Sequence, residues 1–281
     1  MLVSVGILVI ELVAGIVGNS LALMADAGHV FADVSGMALS LGAIWLAGRP
    51  TSGVRSFGLY RLEVIAAVAN ALLLLGVAVF VLWEGVSRLV APPAVDAGLV
   101  VVVAAVALGA NLVSLTLLHP GHAESLTMRG AYLEVAGDLL GALAVLIAGI
   151  VIAVTGLRVA DAVASLFIGV LILPRTWQLL RDGVDVLLEA TPKGVDLAEV
   201  RRHILEAPGV EAVHDLHAWT ITSGMNVVSA HVVVGPDANP GAILDHLGLC
   251  LSGDFDVDHS TFQLETAEHV LWEGRGAQVQ H

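Results

Sequence analysis

Charge is scarce in this chain of 281 residues: Asp, Glu, Lys and Arg make up 14% of it, against about 25% in an ordinary soluble domain. Basic residues are scarcer still, 12 against 26 acidic ones, for a net charge of −14. A surface of that kind has no basic footprint for phosphates, which excludes nucleic acid as a partner. A single cysteine, Cys250, rules out an intramolecular disulfide and reads as a small buried hydrophobe on the run ILDHLGLCL. There is no HExxH motif, no Ser or Cys nucleophile constellation and no phosphate-binding glycine loop. Those absences argue against a zinc protease, a hydrolase with a covalent intermediate and an ATP-driven pump.

What the chain has instead is apolar length. It is 57% hydrophobic, with a mean hydropathy of +0.88. A helix that crosses a bilayer needs about 20 mostly apolar residues. Residues 2–18, 21–47, 62–87, 95–118, 131–155 and 159–174 approach or meet that length, which predicts six transmembrane helices. The first segment lacks a basic n-region and is interrupted by Glu11, so it is not a signal peptide; its shortness leads us to expect a few further natural residues ahead of it. The sixth is short before Pro174 and continues as the amphipathic RTWQLLRDGVDVLL.

Residues 175–281 have ordinary soluble composition, with sixteen acidic against six basic residues. LAEVRRHILEA carries an apolar stripe at helical spacing, at Leu197, Val200, Ile204 and Leu205. EAVHDLHAWTI and MNVVSAHVVV, separated by TSG, read as a hairpin, GAILDHLGLCL as a second helix and DVDHSTFQLE as a third strand. The order α-β-β-α-β predicts one small sheet covered on one face by two helices. Arginine sets the orientation. Arg49, Arg55 and Arg61 follow the second segment, Arg129 follows the fourth and Arg175 and Arg181 follow the sixth, against only Arg88 and Arg158 on the other side. The positive-inside rule then places both termini in the cytoplasm.

Inside this apolar frame the polar residues stand out. DAGHVFAD places His29 and Asp33 four apart in the second segment, and RGAYLEVAGD places Glu134 and Asp138 four apart in the fifth. Each pair lies on one helical face, one turn apart. A charge at the bilayer centre costs about 2.5–3.5 kcal/mol on insertion scales, so something must offset the burial. Two such faces brought together converge one imidazole and three carboxylates, a set that suits a divalent cation; the alternative is a purely structural polar network. Small residues flank both pairs (Ala27, Gly28, Ala32 and Gly36; Ala136, Gly137 and Gly141) and permit close helix packing. Glu11 and Asn111 are placed to line a wet approach to the pairs, while Glu63 and Asp161 fall near helix ends and read as caps.

Ten of the eleven histidines lie outside the apolar segments. His119 and His122, with Glu124, form HPGHAE, which reads as a solvated loop. His214 and His217 are three apart on a predicted strand, so without a bulge they point to opposite faces. His203, His269 and His281 read as surface or tail residues.

NSLALMADAGHVFAD, RSFGLYRLEVIAAVAN, ESLTMRGAYLEVAGDLLGA, VHDLHAW and the closing HSTFQLE resemble, in order and over nearly the whole chain, the cation diffusion facilitator family in its zinc, cobalt or cadmium branch. The resemblance implies a homodimeric, multi-pass, proton-coupled antiporter in the cell membrane, with six helices and a ferredoxin-like cytoplasmic domain. The chain is expected to divide into a transmembrane domain over 1–174, a helical connector over 175–192, a domain over 193–266 to which the resemblance gives metal binding and dimerisation, and a weakly ordered tail over 267–281. Metal would be carried on His29, Asp33, Glu134 and Asp138. His214, His231 and His259 would bind metal in the cytoplasmic domain, with His217 and Asp258 in reserve. Two departures stand out: Glu134 occupies the place of the usual second histidine, and Arg55 and Leu59 stand where some members carry loop histidines. A third carboxylate would leave an occupied site at −1 unless Glu134 or His29 takes a proton, and it shifts preference toward harder ions such as Mn²⁺. Zn²⁺ remains the favoured cargo over Cd²⁺, Co²⁺ and Mn²⁺, with no prosthetic group and with lipid, metal ions and protons as the other partners. The competing readings are a metal-sensing membrane receptor without transport and an intramembrane metal-dependent hydrolase.

Overall fold

The computed structural model of the chain describes residues 2–49, 54–119 and 126–269. The described residues of Met1–Trp45 and Ala66–Arg181 form one compact unit, and those of Leu46–Ile65 and Asp182–His281 a second. Six helices come first: α1 (Leu2–Val17), α2 (Leu21–Ala47), α3 (Arg61–Val90), α4 (Ala97–Leu118), α5 (Leu126–Thr155) and α6 (Val159–Leu187). Five of them are long and apolar enough to cross a membrane, and α1 is a shorter apolar helix. Pro174 does not end the sixth segment; it sits inside α6, which runs on to Leu187. A proline there removes the backbone donor that the Val170 carbonyl would otherwise accept from; two residues later the Thr176 hydroxyl donates to Ile172 O at 3.0 Å.

The core of the helical unit draws on all six helices and is built largely of small side chains. Ala14, Ala22, Ala25, Ala32, Ala78, Ala104 and Ala148 pack there with Leu23, Val100, Val145 and Ile168. Without a hydrophobic drive between helices in lipid, such close-fitting contacts supply the association energy. A Cβ at Gly28 would stand 2.7 Å from Val77 Cγ1 and one at Gly36 2.6 Å from Asn70 Nδ2, so these glycines bring α2 against α3. On α5, Gly141 serves the approach to α2, since a Cβ there would lie 3.1 Å from Asp26 Oδ1, whereas Gly137 faces open space.

The α1–α2 turn is closed from elsewhere in the unit. Asn19 takes a left-handed φ of 51°, and the Arg88 guanidinium donates to its carbonyl at 3.0 Å. Asp161, 2% exposed, accepts from the Ser20 hydroxyl at 2.5 Å and from Leu21 N at 2.7 Å. The carboxylate of α6 therefore caps α2 rather than its own helix. Asp161→Ala would orphan a buried backbone donor and the Ser20 hydroxyl, and we expect it to cost about 1–3 kcal/mol, read as a lower thermal midpoint of the detergent-solubilised protein. A midpoint unchanged by the substitution would remove the cap from the account.

In the second unit, α7 (Leu197–Leu205), β1 (Val210–Thr222), β2 (Met225–Val234), α8 (Pro240–Asp254) and β3 (Val257–Glu265) follow in the expected order. The sheet runs β1-β2-β3, with β1 and β2 antiparallel and β2 and β3 parallel across the α8 crossover. Asp196 caps α7, and Asn239 caps α8 just ahead of Pro240; both are favoured N-cap residues. Val200 and Ile204 of α7 and Ile243, Leu247 and Leu251 of α8 bury their faces against Val213, Ala218, Val228, Ala230 and Val232 of the sheet. Glu63, in the first turn of α3 and part of this unit, accepts from the Thr222 and Ser223 hydroxyls, the latter at 2.9 Å. It is thus a hydrogen-bond acceptor for the β1–β2 turn as well as an acidic residue at a helix start.

Candidate metal sites

Among the described residues, three groups of side chains offer ligand atoms within 4.8 Å of one another. The first joins α2 to α5. His29 Nε2 lies 3.0 Å from Asp138 Oδ1 and 3.6 Å from Asp33 Oδ2. Nitrogen and oxygen ligands at tetrahedral angles around Zn²⁺, with bonds of about 2.0–2.2 Å, stand about 3.3–3.6 Å apart, so both contacts of His29 are close to the spacing of a coordination shell. The helical i, i+4 repeat sets His29 above Asp33, and the Gly141 approach of α5 to α2 brings Asp138 across.

Glu134 is not the fourth member of this group. Its carboxylate is 2.8 Å from the Arg175 guanidinium of α6, just past Pro174. The reason is electrostatic: three carboxylates around one imidazole repel one another, and a cationic partner for one of them lowers that cost. The pairing also changes the charge count. With Glu134 compensated by Arg175, the remaining imidazole and two carboxylates carry −2, which a divalent cation neutralises.

Two cavities flank the group. One, of about 210 Å³, is lined by Glu11, Asp26, Asp33, Asn111, Glu134 and Asp138 among others. The other, of about 170 Å³, reaches Asp26, His29, Glu134, Asp138 and Arg175. Glu11 and Asn111 thus stand where the sequence placed them, beside the cluster. Asp26 lines both cavities although it is only 5% exposed, a position three residues before His29 that its spacing alone did not single out.

The second group is His214, His231 and Glu265. His214 faces His231 across β1 and β2, with ring centroids 5.1 Å apart. The Glu265 carboxylate is 3.1 Å from His214 Nε2 and 2.7 Å from His231 Nδ1. Gln263 also donates to it at 2.7 Å. Expected His259 is absent from the group: it pairs with Val227, four positions along β2 from His231, and its ring meets Phe57 edge-on at 6.0 Å. Four strand residues span about 13 Å. His259 and Glu265 share a face of β3, and the parallel register decides which of them reaches the histidines. In a metal titration of the whole protein, Glu265→Gln should weaken binding at this group while His259→Ala leaves it unchanged; the reverse pattern would reinstate His259.

A bulge alters the expectation for His217. Asp215 has φ 50°, and the register steps from His214↔His231 to His217↔Ser229. The extra residue returns His217 to the His214 face, where its Nε2 lies 3.0 Å from Asp215 Oδ1. That hydrogen bond, followed by the charges of His217, His231 and His214, holds the Asp215 carboxyl below its usual value. Asp258 accepts from Asn226 N at 3.3 Å, outside both groups. His122, Glu124 and residues 270–281 lie outside the described residues.

The third group, His203, Cys250 and Asp254, was not foreseen. His203 is half-buried rather than a surface residue, with its side chain 22% exposed. The Cys250 thiol donates to Asp254 at 3.6 Å. Burial, with that hydrogen bond and the charges of Asp254 and Glu206, pushes the thiol up from its ordinary value.

A bundle of membrane-length helices with a half-buried imidazole–carboxylate cluster, joined in sequence to a small α+β domain, fits the class of a multi-pass membrane transporter of cations. Residues 1–188 match the cation efflux transmembrane domain and residues 192–267 the cytoplasmic domain of cation efflux proteins; the chain belongs to the cation efflux family. It is 44% identical over 261 residues to the metal cation efflux system protein CzcD of Cupriavidus metallidurans, covering 92% of this chain and 83% of that one. It is 37% identical over 265 residues to the zinc transporter ZitB of Escherichia coli, covering 94% and 84%, and 35% identical over 269 residues to the cadmium, cobalt and zinc/H(+)-K(+) antiporter of Bacillus velezensis, covering 94% and 86%. A solved structure of the metal-bound C-terminal domain of the CzcD transporter is 46% identical, covering 25% of this chain and 99% of its own, with a TM-score of 0.25.

Proposed function

We propose that the protein exports Zn²⁺ from the cytoplasm in exchange for protons, carrying the ion on His29, Asp33 and Asp138. The observation that carries this reading is the placement of His29 Nε2 within 3.6 Å of two carboxylates inside an apolar bundle. One nitrogen and two oxygens suit Zn²⁺ and its transition-metal neighbours, and the relatives named for zinc, cadmium and cobalt point the same way. Arg175 answers the charge problem that Glu134 would otherwise raise.

Exchange follows from the ligands. Metal requires a neutral imidazole and ionised carboxylates, so an arriving cation displaces protons and a departing one is replaced by them. The same His29–Asp138 contact that holds a proton in the absence of metal is the one the metal must break. Rocking of helices about the site would expose it to one side at a time. The arginine distribution supports cytoplasmic termini, and the cytoplasmic domain is the natural seat of a homodimer contact, with 1–174, 175–192 and 193–266 as the working parts. The test is uptake of Zn²⁺, Cd²⁺, Co²⁺ and Mn²⁺ into proteoliposomes under an imposed pH gradient. Gradient-driven flux of Zn²⁺ is expected; metal binding without flux of any ion would replace transport by sensing.

A further inference from the structure

The group at His203, Cys250 and Asp254 shares no residue with either cluster discussed above, and its chemistry differs from theirs. His203 sits on α7, Cys250 and Asp254 one turn apart on α8. His203 Nδ1 is 3.0 Å from Glu199 O, the preceding turn of its own helix. A carbonyl can only accept, so Nδ1 carries the proton and Nε2 presents a lone pair. Metal-ligating histidines are oriented in this way, with the other ring nitrogen donating to a carbonyl. The Phe255 ring, edge-on at 5.0 Å, packs against the imidazole.

Nε2 lies within 4.8 Å of the other two ligand atoms. Nε2 is 3.8 Å from Asp254 Oδ2, and Cys250 Sγ is 3.6 Å from the same oxygen. Around Zn²⁺, bonds of about 2.3 Å to sulfur and about 2.0–2.2 Å to nitrogen and oxygen at tetrahedral angles place such atoms about 3.3–3.6 Å apart. Both distances to Asp254 Oδ2 lie close to that spacing. The local field has the right sign as well. Asp254 is the last residue of α8, and Glu206 is the C-cap of α7, so two helix ends of negative partial charge meet here, where anions are disfavoured and cations favoured. Arg202 is 3.9 Å from Glu206, but no basic side chain among the described residues pairs with Asp254 other than His203.

We propose that His203, Cys250 and Asp254 form a thiolate-containing site for a borderline-soft divalent cation, which clamps α7 to α8. A neutral imidazole, a thiolate and a carboxylate carry −2, which the ion neutralises; the thiol proton leaves to solvent as the metal–sulfur bond forms. Water completes the shell at the fourth position. Thiolate selects Zn²⁺, Cd²⁺ and Co²⁺ over Mg²⁺ or Mn²⁺. Because α7 and α8 together cover the sheet, occupancy ties the two covering helices to each other and gives the cytoplasmic domain a response to metal that does not depend on the transport reading.

The composition supplies an unusually clean assay. Cys250 is the only cysteine, so a sulfur-to-cobalt charge-transfer band in the near ultraviolet can arise from no other cluster in the chain. Co²⁺ titrated into the detergent-solubilised full chain should raise that band to saturation at one thiolate-bound ion per chain. Cys250→Ser should abolish it and His203→Ala and Asp254→Asn should reduce it, while Asp138→Asn and Glu265→Gln keep it. In the unsubstituted protein, Zn²⁺ should slow maleimide labelling of Cys250, with a chelator restoring the rate. No band on titration, a band untouched by His203→Ala, or labelling indifferent to Zn²⁺ would each overturn the site. Loss of gradient-driven flux in the transport assay would leave all of these readouts in place.

Discussion

Asp138→Asn should abolish gradient-driven zinc flux. The substitution keeps the shape of the side chain and removes its charge at the oxygen 3.0 Å from His29 Nε2. Two effects then add. A divalent ion in the remaining His29–Asp33 pair keeps an uncompensated positive charge in a low-dielectric bundle, and one of its three bonds to protein weakens. Changes to groups that merely orient metal ligands already cost about 10–100-fold in affinity, so loss of a direct ligand should exceed about 100-fold. Glu134→Gln should cost less, because that carboxylate is engaged by Arg175 rather than by the cluster. The measurement is initial uptake of Zn²⁺ into proteoliposomes, with calorimetric binding alongside. Equal losses in the two variants would return Glu134 to the ligand set, and full flux in Asp138→Asn would remove the cluster from transport altogether.

The second large effect is on stability. Leu247 is fully buried where α8 meets the sheet, packed with Ile243, Leu251, Val200 and Ile204. Leu247→Ala removes three heavy atoms from a fully buried contact. Large-to-small changes of this kind cost about 2–5 kcal/mol. At about 1.4 kcal/mol per tenfold, amide exchange along β2 should accelerate by roughly 30-fold to a few thousand-fold. Leu249, on the same helix but 78% exposed, is the control: Leu249→Ala should leave β2 exchange nearly unchanged. If the two variants behaved alike, α8 would not cover the sheet in the way described.

Much of this architecture can be read from residue spacing. The apolar runs mark the helices because length and burial in lipid leave little freedom, and the i, i+4 spacing of His29 with Asp33 puts both on one face whatever surrounds them. The alternation along MNVVSAHVVV separates core-facing Val228, Ala230 and Val232 from His231 for the same reason. What spacing does not contain is register and partner. His259 and Glu265 lie on one face of β3, and the register of the pairing decides which of them stands by the histidines. Glu134 had the right spacing to join Asp138, but its position is decided by Arg175, some forty residues away on another helix. Cys250 and Asp254 show a helical repeat, yet nothing in ILDHLGLCLSGD announces that His203 of α7 will stand over them.

The cap that Asp161 places on α2 has a mechanical consequence. A helix pinned by hydrogen bonds at Leu21 that pivots there is a lever of 27 residues with its fulcrum at one end. At about 1.5 Å of rise per residue, His29 is roughly 12 Å from that fulcrum and Ala47 roughly 39 Å. A swing of about 10° would carry the histidine about 2 Å, enough to break or make a metal bond, and the far end about 7 Å, enough to admit a hydrated ion. Small strokes at the ligands and large strokes at the mouth come from one rotation, geared by the distance of each residue from the pinned turn.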